Sequence, residues 1–335
     1  MKECLLTIGI PTLNRSSMLK GLLDNIYSEL EASGNVRNVQ IVVVDGNSGD
    51  NTAEVVTQFE NKLSLKYFKR EKRKGIDKDI LKCVELSDGE YCWLISDDDR
   101  ITFGAISHLL RMLTEEKNLT GCFCNRIPYD LHMKKKVAEI RGWPGKIIKE
   151  DRIFIDKAEF FKYIGMDFGF ISSQVVKRST WQEIVDAEVF GDLSATYYLM
   201  AHIIARMMDR KFKWLYISKP LVKQRTGNDS FLKQDGIMAR QLIEHNSFQI
   251  ILDRHYDKGS EVRKEFFRKI VYRLPRVVAN LKSQNINYRT QWKLLKLYCS
   301  KYNEYSLFWL NAVPLFFLPN VLFILTRKVY FKYWI

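Results

Sequence analysis

Apolar runs and helical-period segments alternate along the first 125 residues. Leu5–Ile10 reads as a first strand, Ile41–Val44 as a second, Leu65–Phe68 as a third and Tyr91–Ile95 as a fourth. Between them, Leu19, Leu22, Leu23, Ile26 and Leu30 recur at helical spacing, with Ser16 as the predicted N-cap. A second helix is predicted over residues 52–61. Ile76, Ile80, Leu81 and Val84 mark a third, and Ile106, Leu109, Leu110 and Leu113 a fourth. This alternation predicts an α/β fold, a mostly parallel sheet with helices on both faces. From Arg126 to Phe190 the pattern is mixed, with Lys134–Lys136 as a solvated turn. Leu193–Met208 then reads as an apolar helix, Leu215–Val222 as a strand interrupted by Pro220, and Gly227–Ser230 as a turn. The remainder reads as helical. Phe266, Ile270, Leu274 and Val277 form one apolar stripe, which either packs inward or lies on anionic lipid.

Charge divides the 335-residue chain. Of the formal +14, Val262–Ile335 carries +12, with fourteen Lys/Arg against Glu265 and Glu304. Such a tail suits nucleic acid or an anionic membrane surface. Residues 305–326 hold no charged residue and are rich in Leu, Phe, Val and Trp, which favours lipid. The run is long enough to span a bilayer, but Asn311, Pro314, Pro319 and Asn320 interrupt it. An in-plane anchor, a span and a buried helical hairpin all stay open. The six cysteines form no CxxC pair and read as reduced thiols. No charged-then-apolar leader opens the chain, so a cytoplasmic location is expected, peripheral on the inner membrane.

Candidate chemistry sits at the strand ends. Asp45 closes the second strand ahead of Gly46–Asp50, and Asp97, Asp98 and Asp99 follow the fourth. Open α/β sheets bind ligands outside the carboxyl ends of their strands. Three adjacent carboxylates repel one another unless a cation neutralises them, and hard oxygens suit Mg²⁺ or Mn²⁺ shared with a substrate's phosphates. A metal–diphosphate site is the expectation.

With Pro11–Arg15, Val42–Asp45, Ser48, Asp50, Thr52 and Ser96–Asp99 in order, the first 230 residues resemble family 2 glycosyltransferases of the GT-A fold. Phe170–Val176, Trp181, Tyr216–Val222, Arg225 and Gly227–Phe231 resemble the abequosyltransferase-like branch, which adds sugars to bacterial O-antigen or capsule units. The resemblance implies a GT-A catalytic domain at 1–230, a helical basic region at 231–304 and a membrane-associating tail at 305–335. It implies a nucleotide-sugar donor and a polyprenyl-linked oligosaccharide acceptor. Pro11, Thr12, Asn14, Arg15, Asp45, Asn47, Ser48, Asp77, Asp97 and Asp98 would form the nucleotide pocket, with Asp45 on the base. Asp99, then Asp97, would hold Mn²⁺ or Mg²⁺. Lys78 and Asp79 stand where the family has Arg and Asn, and Arg and Lys differ at a phosphate. For the base that deprotonates the acceptor, Asp192 is chosen over Asp167, Asp186 and Glu188, and helix capping is its structural alternative. Two other classes compete: a nucleotidyltransferase, which lacks a glycine-rich loop after the first strand here, and a non-catalytic nucleic-acid-binding protein.

Overall fold

A computed structural model describes residues 4–35, 38–137, 149–188, 197–210, 212–228, 230–283 and 286–319. These form two compact units. The first holds the described parts of Met1–Ile140, Ile148–Asp156 and Phe168–Asn228; the second holds Lys157–Asp167 and the described part of Asp229–Ile335.

The first unit is built on β1 (Leu6–Thr12), β2 (Val39–Asp45), β3 (Ser64–Lys69), β4 (Tyr91–Leu94), β5 (Arg100–Ile101), β6 (Gly121–Tyr129), β7 (Arg152–Phe154), β8 (Gln174–Lys177) and β9 (Trp214–Arg225). They make one sheet in the order β3-β2-β1-β4-β8-β6-β9-β5, with β7 also on β9. The β3-β2-β1-β4 half is parallel. β8 runs antiparallel to both β4 and β6. The fold class is thus the mixed, mostly parallel α/β expected. β1 and β2 are buried at every position, as a sheet covered on both faces requires.

Helix α1 (Ser16–Ser33) buries Leu19, Leu22, Leu23, Ile26 and Leu30 as its spacing predicted, and Gly34 closes it with φ 68°. Ser16 is not its cap. The helix starts at Ser16, whose backbone N–H donates to Asp50 Oδ2 at 2.9 Å, so a neighbouring loop supplies the acceptor. β1 runs two residues further than expected, because Pro11 and Thr12 pair with Val44 and Asp45 and proline's fixed φ suits extended backbone. Helix α2 (Thr52–Thr57) is shorter than expected. Helices α3 (Ile76–Glu85) and α4 (Ala105–Glu115) follow β3 and β5, and α6 (Arg178–Ala187) follows β8. Pro220 does not break β9. It lies where the pairing with β6 skips between Cys124 and Arg126, so no ladder hydrogen bond is lost to it. Helix α7 (Leu199–Arg210) begins later than the sequence pattern suggests.

The second unit is helical: α5 (Lys157–Tyr163), α8 (Ser230–His255), α9 (Glu261–Ser283), α10 (Tyr288–Tyr302), a π-turn at Phe308–Ala312 and α11 (Val313–Phe317). Phe266, Ile270 and Leu274 are buried, Val277 is half-buried, and Phe161 meets Phe266 edge-on at 5.5 Å. The α9 stripe therefore packs inward and is closed to lipid. The positive charge also turns partly inward, since Arg263, Lys269 and Lys282 are buried. Arg273 pairs with Asp167 at 2.7 Å, and Lys269 packs its stem on Gly165. Burial, with Arg273 close by, lowers Lys269 to about 7, and burial lowers His245 to about 3. Among the described residues no helix is long and apolar enough to cross a membrane. Cys83, Cys92, Cys122 and Cys124 are buried free thiols, while Cys4 and Cys299 are half-buried.

Candidate functional site

Parallel β1, β2 and β4 end on the same sheet edge, and the three loops that leave them are tied together by side chains. Asn14 and Asn47 take left-handed backbone, φ 52° and 82°, a conformation asparagine tolerates better than most residues. In that geometry Asn14 N–H donates to Ser48 Oγ at 2.8 Å, and Asn14 Oδ1 accepts from Gly49 N–H at 2.8 Å. Gly46 N–H closes the brace on the Thr12 carbonyl at 2.9 Å. Asn14 and Asn47 stay exposed beside this lattice, while Pro11, Thr12, Asp45 and Ser48 are buried.

Asp45 is fully buried and doubly satisfied. Its Oδ1 accepts from Ser48 N–H at 2.7 Å and its Oδ2 from the Tyr67 hydroxyl at 2.7 Å. Arg70 N–H donates to the Asp45 carbonyl at 2.9 Å, and the Arg70 guanidinium pairs with Asp79. This explains the departure at position 79: its carboxylate neutralises a buried arginine. Gly46 leaves room for it, since a Cβ there would lie 2.8 Å from Asp79 Oδ2 and would displace that carboxylate.

The three carboxylates after β4 separate by environment. Asp97 accepts from the Thr12 hydroxyl at 2.7 Å and from Arg15 at 3.0 Å. Asp99 accepts from the Ser172 hydroxyl at 2.6 Å and from Arg225 N–H at 2.8 Å. Both are 2% exposed. Burial raises Asp97 to about 6, Arg15 opposing it and Asp98 adding to it; burial and then Asp98 raise Asp99 to about 7. Asp98 is the most open of the three. It accepts from Ser96 Oγ at 2.6 Å and Asn228 Nδ2 at 2.9 Å, and Arg15 lies 3.6 Å away. Among the described residues no three Asp, Glu, His or Cys side chains form a metal cage by themselves. Asp99, the expected first ligand, and Asp98 each have both oxygens hydrogen-bonded within the protein; Asp98 differs in being partly exposed.

Asp77 lies apart from these carboxylates' hydrogen bonds. It is buried, accepts from Leu199 N–H at 3.3 Å at the start of α7, and is raised by burial to about 7. Asp192 falls outside the described residues. The alternatives to it are engaged: Asp167 with Arg273, Asp186 with Gln182 at 2.7 Å, and Glu188 with Arg206 and His202. Sequence reasoning gave no role to Ser172, Arg225 or Asn228, although the branch resemblance already included them. Tyr67 and Arg70 went unnoticed, since a tyrosine in a strand and an arginine in a basic loop carry no signal of their own.

Residues 7–178 match the profile of Glycosyl transferase family 2, more than half of the chain. The chain belongs to that family. This family 2 glycosyltransferase is 27% identical over 275 residues to the abequosyltransferase RfbV of Salmonella typhimurium, covering 78% of each chain. It is 28% identical over 112 residues, 33% of this chain and 35% of the other, to the GalNAc(5)-diNAcBac-PP-undecaprenol beta-1,3-glucosyltransferase of Campylobacter jejuni. Among solved structures, S. aureus TarS 1–349 superposes with TM-score 0.55 at 14% identity, covering 86% of this chain and 82% of that one. The mannosyltransferase PcManGT of Pyrobaculum calidifontis, in complex with GDP-Man and Mn²⁺, superposes with TM-score 0.54 at 13% identity over 94% and 86%. The fold is therefore of GT-A type, and the enzyme class is a glycosyltransferase.

Proposed function

We propose that this family 2 enzyme transfers a sugar from a nucleotide-sugar to a hydroxyl of a polyprenyl-linked oligosaccharide in bacterial surface polysaccharide synthesis, with inversion. The observation that carries the reading is the division of the carboxylates: Asp45 buried at the end of β2, and Asp98, the least buried of the three after β4, between Arg15 and Asn228. Asp45 and Ser48 orient the nucleobase, and Thr12, Asn14, Asn47 and Arg15 line the way to the diphosphate. The hard oxygens of Asp98 fit Mg²⁺ or Mn²⁺, and the remaining ligands would come from the diphosphate, since such ions are usually held by one or two carboxylates plus substrate phosphates. Bound there, the ion would neutralise charge on the departing diphosphate. Asp97 and Asp99 then act as supports rather than ligands: Asp97 fixes Thr12 and Arg15, and Asp99 fixes Ser172 and Arg225. Asp77 holds the start of α7. Asp192 takes the proton from the acceptor hydroxyl as its oxygen bonds the anomeric carbon and the electron pair of the breaking bond leaves with the diphosphate.

The deciding experiment is thermal shift with UDP, GDP, CDP, dTDP and ADP, each with and without Mn²⁺. One diphosphate at a hundred times its dissociation constant should stabilise the protein by about 2.7 kcal/mol. Asp98→Asn should abolish the metal-dependent part and lower turnover by about 10²–10³-fold, the size expected for losing one electrostatic contact to the transition state. An Asp99→Asn variant that loses the metal response while Asp98→Asn keeps it would reverse the ligand assignment. Asp192→Asn should lower kcat with nucleotide affinity unchanged; near-normal turnover would remove it as the base.

A further inference from the structure

In the second unit, the surface formed by residues 307–319 has the wrong chemistry for water. The inward side of the segment is ordinary. Phe308, Ala312, Leu315 and Phe316 are buried, Tyr298 of α10 meets Phe316 at 6.2 Å, and buried Lys282 donates to the Phe316 carbonyl at 3.5 Å. The outward side is also apolar: Leu307, Trp309, Leu310 and Phe317 are 36%, 47%, 71% and 65% exposed. No charged residue occurs from Tyr305 to Pro319. A helix facing water normally presents polar residues there, and contiguous exposed apolar patches mark interaction surfaces.

Two observations identify the partner. The adjoining α10 exposes Tyr288 and Trp292 at i, i+4 together with Arg289, Lys293 and Lys296, and Lys296 sits 5.8 Å over the Trp292 ring. Exposed aromatics among cations match a bilayer's interface and its anionic headgroups. The helical run covers only residues 306–317, a five-residue π-turn continued by the five-residue α11 with Pro314 as its second residue, and it ends where Leu318 turns extended, whereas a span needs about 20 apolar helical residues.

We infer that the 307–317 face, assisted by the basic face of α10, docks in the plane of an anionic lipid surface without crossing it. The docking is independent of the donor chemistry proposed above. Trp309, Leu310 and Phe317 enter the headgroup–acyl boundary, and Arg289, Lys293 and Lys296 meet lipid phosphates.

The test is co-sedimentation of the full chain with phosphatidylcholine vesicles, with and without phosphatidylglycerol. Wild type should pellet with the anionic vesicles, and Trp emission should shift to the blue. Combined Trp309→Ser, Leu310→Ser and Phe317→Ser should weaken binding at least ~10-fold, as the loss of several buried apolar side chains predicts. Lys293→Glu with Lys296→Glu should remove the preference for phosphatidylglycerol. Unchanged far-UV melting shows that the variants fold, and unchanged nucleotide-dependent thermal shifts separate docking from the donor site. Wild type that stays in the supernatant, a triple variant that pellets equally, or a wild-type dimer that the triple variant splits without any vesicle binding would overturn the inference.

Discussion

The two units treat polarity in opposite ways. In the first unit carboxylates go inside: Asp45, Asp97 and Asp99 at strand ends, and Asp77 and Asp79 in the first turn of α3, are buried. In the second unit the buried charges among the described residues are mostly cations, Arg263, Lys269 and Lys282 beside the lone acid Glu265, while Trp309, Leu310 and Phe317 face outward; among the described residues of the first unit Arg126 is the one cation as deeply buried. Buried acids that are all hydrogen-bonded mark a preorganised ligand edge, where the backbone and hydroxyl donors are already spent on holding geometry. Exposed aromatics backed by a packed interior mark a surface that needs a partner.

The sharpest way to break the first half of that contrast is to remove one member of a buried pair. Asp79→Ala leaves Arg70 buried without its partner, and should destabilise the protein by about 3–5 kcal/mol in denaturant titration. A change below 1 kcal/mol would show that solvent reaches Arg70 and that the first unit is not closed around its charges.

pH tests the contrast itself. Asp77 has its folded value raised from 3.8 to about 7, so its contribution is fully present below about 4 and is lost as pH rises through 7. Lys269 runs the other way. Its folded value falls from 10.5 to about 7, so the second unit gains stability as pH rises from about 7 to 10.5. His245, lowered from 6.5 to about 3, adds loss on the acid side as pH falls below 6.5. Between pH 5 and 8, hydrogen exchange corrected for its intrinsic pH dependence should therefore show protection falling around α3 and the start of α7 while it rises in α8. Parallel trends in both units would break the comparison.

The smallest effect sharpens it. Tyr67→Phe removes one donor from buried Asp45 and should cost about 1 kcal/mol of stability. The remaining donor, Ser48 N–H, keeps the carboxylate placed. A few-fold rise in donor KM at unchanged kcat is expected, and a loss confined to kcat would count against a role for Asp45 at the base.

Much of the parallel half was legible in the sequence because its signals are local. Runs such as Ile41–Val44 fix burial on both faces, and helical spacing located the buried face of α1. Asp45 and Asp97–Asp99 were found because they follow such runs, whereas Asp77 and Asp79 came from the family resemblance alone. What escaped depends on long-range pairing. Ser172 reaches Asp99 across 73 positions and Arg225 across 126, and neither residue type announces this locally. Ser16 failed as a cap because the acceptor comes from Asp50, 34 positions away. In the second unit the α9 stripe had the spacing of either a packed or a lipid-facing helix, and only the burial of Phe266 and Ile270 chose between them.

The cysteine distribution gives each unit its own chemical address. Burial holds Cys92 up at about 12 and raises Cys83, Cys122 and Cys124 as well, so these four thiols stay protonated and shielded from alkylating dyes. Cys4, ahead of β1, and Cys299, on α10, are the two within reach. A maleimide fluorophore can thus be placed in either unit of the native sequence by changing only the other accessible cysteine to serine. The label at 299 then watches α10, and the variant labelled at 4 serves as its control.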